Sequence, residues 1–281
     1  MKKILVPYDF SPVAEHALDL ACQIGERVES EIMLLNVIEH PTADSFKTMG
    51  MQDVDPMEQL YIKKMYEKVS EKLADVVSNA KYSDEMLKTK IQLGNAFNTI
   101  IDQIVEERVD LVVAGTEGAE GLNEFLVGSI AEKIVRKATC PVITTMDKCE
   151  IEPIEKIVFA SDFINTDAGF ISRLKELQAT FDAQLNIVKI NTPASFTSTR
   201  HDTRQMEEFV EKYDIKDYTI DIYNYKNEED GIVLYAEDIK ADMIALGTHQ
   251  RKGVGHFLAG SIAEDVVNHA SIPVWTAHLN Q

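Results

Sequence analysis

The chain has 281 residues, 45% of them hydrophobic and 27% charged, with 47 acidic against 28 basic side chains and a net charge of -19. That length suits two globular domains of ordinary size, each able to bury its own core. The charge disfavours nucleic acid and anionic membrane surfaces as partners, and no segment approaches the ~18 uninterrupted apolar residues of a membrane helix.

From the N-terminus, strands are predicted at 3–8, 31–38, 89–93, 110–115 and 141–146, alternating with helices at 12–28, 56–80, 96–107 and 128–138. The second half repeats the pattern, with strands at 156–161, 184–190, 218–224, 242–247 and 273–277. Short Val/Ile-rich runs between amphipathic helices predict an α/β fold, a parallel sheet covered on both faces. In such sheets ligands bind beyond the carboxyl ends of the strands. The long helix from Pro56 carries Leu60, Met65, Val69, Leu73 and Val76 at helical spacing, which predicts a covering helix. Met49, Met51 and Met57, in and beside the segment preceding it, suit an interface or a lid.

The halves are homologous. Residues 242–274 align without a gap on 110–142 at an offset of 132, and KIVFASDF from Lys156 aligns on KILVPYDF from Lys3 at 153. The difference, 153 minus 132, places 21 extra residues in the first half, between Val37 and about Ile100. Two tandem domains are expected, 1–148 and 153–281, joined near CEIEP.

The stretch 115–129, GTEGAEGLNEFLVGS, follows the apolar run DLVVA and opens the periodic run IAEKIVRKA. Strand, glycine-rich loop and helix start present converging backbone amides and a positive dipole end, which suits phosphate. No lysine follows the last glycine as in a P-loop, and the spacing is not GxGxxG. Ser129 with Glu132, and Ser261 with Glu264, also have the spacing of a capping box, which begins a helix without any ligand. Asp9 suits either a ribose or adenine contact or a turn-holding role. Glu117, Glu120 and Glu124 surround the first loop and are unfavourable beside a triphosphate unless they point to solvent or a divalent ion such as Mg²⁺ or Mn²⁺ bridges them. The second loop puts Gln250 at the middle glycine position and follows it with Arg251 and Lys252.

Cys22, Cys140 and Cys149 are odd in number and lack metal-ligand spacing, and the seven histidines form no HxH or HExxH pattern, so no metal-ligand set is assigned. The apolar run in MKKILVPYDF is too short for an export signal, so a reduced cytoplasm is expected.

KILVPYD, the series Gly115, Gly118, Gly128 and Ser129, the ending GSIAEKIVRKATCPV and their second-half counterparts resemble the universal stress protein family, in its ATP-binding form with G-x2-G-x9-G-[ST]. The resemblance spans essentially the whole chain. It implies a five-stranded parallel sheet per domain, Rossmann-like, of the adenine nucleotide alpha hydrolase type. It also implies ATP, or ADP or AMP, with Asp9 at the adenosine end and Val37 at the adenine. Gly115, Gly118, Gly128 and Ser129 would lie at the phosphates, with Pro7 and Ile130 as accessory contacts. A weaker second site would use Asp162, Ile190, Gly247, Arg251, Gly260 and Ser261. The closing strands VITTM and VWTAH are expected to pair across a pseudo-twofold axis between the halves, and a homodimer is a further expectation. The reading is a stress-response regulator that acts by binding, with no catalytic residue assigned. Weak ATP hydrolysis or phosphotransfer, and a nucleotide-free scaffold, are the alternatives.

Overall fold

A computed structural model describes residues 1–39, 56–80, 82, 86–116, 130–146, 153–164, 167–249 and 262–279. It forms two compact units, Met1–Gly115 and Thr116–Gln281.

The first unit runs β1 (Lys3–Pro7), α1 (Pro12–Val28), β2 (Glu31–Ile38), α2 (Pro56–Asn79), β3 (Leu87–Leu93), α3 (Ala96–Glu106) and β4 (Leu111–Gly115). Its strands are parallel in the order β3-β2-β1-β4. Ile4, Leu5 and Val6 are all fully buried, because helices cover a parallel sheet on both faces. Ser11 caps α1, its hydroxyl accepting from the Ala14 amide at 3.3 Å, and Pro12 follows at the first helical position. Ala14, Ala17, Ala21 and Cys22 are small enough to bring that helix close to the sheet. Cys22 is buried among them, and burial pushes its thiol up to about 12, which leaves it an inert filler.

The second unit runs α4 (Ile130–Lys137), β5 (Val142–Thr145), β6 (Lys156–Ala160), α5 (Ala168–Phe181), β7 (Gln184–Asn191), α6 (Thr199–Lys212), β8 (Tyr218–Asn224), α7 (Glu228–Asp238), β9 (Met243–His249), α8 (Ile262–His269) and β10 (Val274–Leu279). The strand order is β5-β10-β9-β6-β7-β8. All pairs are parallel except β5 with β10, where Trp275 lies opposite Ile143 in antiparallel register. The two closing strands therefore pair as the resemblance implied. Beside them, Arg136 of α4 donates twice to Glu264 of α8, at 2.9 and 2.6 Å, and Asn268 donates to Glu132 at 2.5 Å. Glu132 and Glu264, like Arg136 and Asn268, are 132 residues apart, so the two contacts are related by the repeat. This packing places α4 and β5 in the second compact unit.

A carboxylate clip appears in both halves and was not singled out from the sequence. Asp110 accepts from the amides of Lys2 and Lys3, and Asp242 accepts from those of Glu155 and Lys156, at 2.6 to 3.0 Å. Each acid stands immediately before an apolar strand run and anchors the start of the neighbouring strand. On α2 only Val69 and Leu73 of the five expected core residues are buried, and Leu60 is 46% exposed. The reason is length: 24 residues of helix span about 36 Å, beyond the roughly 26 Å of an eight-residue strand.

Candidate functional site

The first site is built where β1 stops. Odd-numbered residues of β2 face β1: the Glu31 amide donates to Lys2, and the Leu35 carbonyl accepts from Tyr8 at 2.9 Å. Even-numbered residues face β3, as in the 3.2 Å bond from the Gly94 amide to the Ile38 carbonyl. Val37 therefore faces β1, whose paired register ends at Pro7 opposite Leu35. The carbonyl that a longer β1 would offer to the Val37 amide belongs to Tyr8, and it accepts instead from the Asn36 side chain at 2.7 Å. Among the described residues no strand pairs with Val37 on that side. A donor and an acceptor on one residue thus lie beyond the end of β1, in the arrangement that pairs with a purine edge. Asn36 supplies this arrangement and was missed from the sequence; the available signal was a polar residue near the end of the apolar run EIMLLNVI.

Beyond Pro7 the chain turns sharply. Phe10 has φ 68°, an uncommon conformation for an aromatic residue. Asp9 holds the turn, one carboxylate oxygen accepting from the Ser11 amide at 3.0 Å and hydroxyl at 2.5 Å. Its other oxygen has no hydrogen bond among the described residues, and the residue is exposed. The turn-holding role of Asp9 is thus realised, and a second oxygen stands beside it. The second repeat matches: Asp162 accepts from the Ile164 amide at 2.9 Å and Phe163 has φ 59°.

Gly115 ends β4 against α1. A Cβ there would come within 2.6 Å of the Val13 carbonyl oxygen, so a side chain is excluded by helix-to-strand packing. This is a structural reason for the glycine, independent of any phosphate. The next amide, Thr116, donates to the Thr145 carbonyl at 2.7 Å and is spent there. Ile130 opens α4 and is 41% exposed. Gly118, Gly128, Ser129, Gln250, Arg251, Lys252, Gly260 and Ser261 lie outside the described residues.

In the second repeat Ile190 is 7% exposed, and its side chain would lie 2.6 Å from a Cβ at Gly231 of α7. The nearest atoms to a Cβ at Gly247 belong to the Leu279 side chain, at 3.0 Å. Lys189, at the position equivalent to Asn36, donates to Asp202 at 2.6 Å and to Thr197 at 3.1 Å. Burial alone would raise the Asp202 carboxyl. Hydrogen bonds from Lys189 and Thr197, with the charge of Lys189, outweigh it and hold the group below the ordinary carboxylate range. Thr248 bonds His278 at 2.7 Å, and burial holds that imidazole below its usual pKa. One contact is exchanged between repeats. Glu39, after β2, accepts from the Ala96 amide at the start of α3 at 2.8 Å, whereas Glu228, at the equivalent start of α7, accepts from the hydroxyl of Thr192 after β7 at 3.0 Å.

The profile of the universal stress protein family matches residues 1–145 and again 153–278. The chain belongs to the universal stress protein family. As such it carries two family domains in tandem, in an α/β fold with a mostly parallel sheet. A Staphylococcus aureus protein assigned to the universal stress proteins is 29% identical over 143 residues, covering 50% of this chain and 82% of the relative. A universal stress protein from Archaeoglobus fulgidus superposes with a TM-score of 0.72 at 21% identity, covering 98% of each chain. A Pseudomonas aeruginosa protein assigned to the same group does so with 0.63 at 20% identity, covering 99% of this chain and 94% of that one. These two structures are alike in fold. No described helix of this universal stress protein is long and apolar enough to cross a membrane.

Proposed function

We propose that the first repeat, residues 1–148, binds an adenine nucleotide, ATP or ADP or AMP, and that this universal stress protein acts in the cytoplasm by binding rather than turnover. The observation that carries the reading is the main-chain pair of Val37 held beyond the end of β1, beside the exposed carboxylate of Asp9. Adenine would meet that pair, and ribose hydroxyls the second oxygen of Asp9. Pro7 would line the same edge, and the glycine series from Gly115 to Ser129, with Ile130, would supply phosphate contacts. Mg²⁺ or Mn²⁺ would accompany the phosphates beside Glu117, Glu120 and Glu124. The second repeat, 153–281, would bind more weakly through Asp162, Ile190, Gly247, Arg251, Gly260 and Ser261, because Gln250 replaces a glycine.

Calorimetric titration of ATP, with and without Mg²⁺, tests this reading against a Val37→Pro variant. That amide has no ladder bond to lose, so proline removes one donor without opening the sheet. Saturable binding by the parent and about tenfold weaker binding by the variant are expected. A parent that takes up no nucleotide, or a variant equal to it, would refute the assignment.

A further inference from the structure

The two repeats treat equivalent aromatic rings differently. Phe10 and Phe163 both follow the turn aspartate, 153 residues apart, and both adopt positive φ. In the second repeat Phe209 of α6 packs edge-on against Phe163 at 5.1 Å, Gln205 donates to the Phe163 carbonyl, and the ring is 7% exposed. In the first repeat the ring of Phe10 meets the Tyr8 ring edge-on at 5.4 Å and the ammonium of Lys72, from α2, at 4.8 Å. Lys72 is exposed and forms no ion pair among the described residues. In the second repeat an aromatic ring and the Gln205 hydrogen bond hold the turn where the first repeat places a lysine, so what the lysine adds is charge.

That charge stands in acidic surroundings. Asp9, Glu15 and Asp19 all act on Tyr8, from the same turn and from α1. A polyanion entering there meets repulsion unless a cation offsets it.

We infer that Lys72 supplies the positive charge of the first repeat's site and makes it select phosphorylated over unphosphorylated nucleosides. The inference rests on the nucleotide reading above and names the group that discriminates by ligand charge. The flexible stem lets the ammonium leave the Phe10 ring for a phosphate oxygen while its methylenes stay on the ring. The second repeat, with Phe209 at that place, lacks the same cation.

The experiment titrates adenosine, AMP and ATP into the parent, Lys72→Met and Lys72→Arg. Methionine keeps an apolar contact on Phe10, so the turn remains supported. Expected are about fivefold weaker ATP binding by Lys72→Met, unchanged adenosine binding and recovery of ATP binding in Lys72→Arg. The ATP difference should also shrink as salt is raised from about 0.05 to about 0.5 M. Unchanged ATP affinity in Lys72→Met would overturn the inference. So would equal losses for adenosine and ATP, the mark of a residue that only holds the turn. A parent that binds none of the three ligands overturns the nucleotide reading itself, and Lys72's role with it.

Discussion

An alanine methyl at position 115 would press on the Val13 carbonyl, which is backbone and cannot swing aside, whereas at 247 its nearest neighbours are side-chain atoms of Leu279, at 3.0 Å. Gly115→Ala is expected to cost about 1–3 kcal/mol in urea unfolding and Gly247→Ala clearly less; equal losses would contradict the packing account. A second residue-scale prediction concerns Asp202, which is fully buried against Lys189. Asp202→Ala strands a buried ammonium and should cost about 3–5 kcal/mol, while the pair Asp202→Leu with Lys189→Met should recover most of it by the same assay. The sequence made Gly115 legible as a special position but assigned it to phosphate alone, because α1 packs on it from a hundred residues earlier. The turn-holding role of Asp9 was legible. Asn36 and Lys189 were not, since what each does depends on a partner outside its own strand, Tyr8 in one repeat and Asp202 in the other.

Strand and helix existence was legible from periodicity almost throughout, and boundaries failed where a neighbour decides them. β3 begins at Leu87, two residues earlier than its pattern indicates, because Leu87 pairs with Ile32. β9 reaches His249 because β10 continues alongside it to Leu279. Charged anchors between elements were also invisible in sequence. Glu107, just past α3, accepts from Lys3 of β1 at 2.8 Å and from Lys90 of β3 at 2.5 Å. Those bonds pull its carboxyl from 4.5 down to about 2, so folding favours the charged form. The resulting stabilisation is complete above about pH 4.5 and fades as the pH falls toward 2. Glu107→Gln is therefore expected to lower stability by about 1 kcal/mol at pH 7, a value discounted for partial exposure, and by almost nothing near pH 2. A difference between the urea midpoints of parent and variant that stays constant with pH would exclude this account.

For the molecule as a whole, sequence repetition predicted two homologous modules, and the family profile finds both. The packing of α4 and β5 onto α8 and β10 could not be read from periodicity, because those contacts join segments about 130 residues apart. If the nucleotide reading holds, ATP at about one hundred times its dissociation constant should stabilise the parent by about 2.7 kcal/mol. The thermal midpoint should rise accordingly, and Val37→Pro at the same ATP concentration should show a much smaller rise. The carboxylate that joins the second strand to the third helix of each repeat comes from opposite sides, Glu39 in one and Glu228 in the other. A chimaera grafting β2 with Glu39 beside α7 would bring two negative groups face to face, and the reciprocal graft would leave Thr192 beside Ala96 with no acid between them. The halves share one blueprint yet have ceased to be interchangeable parts.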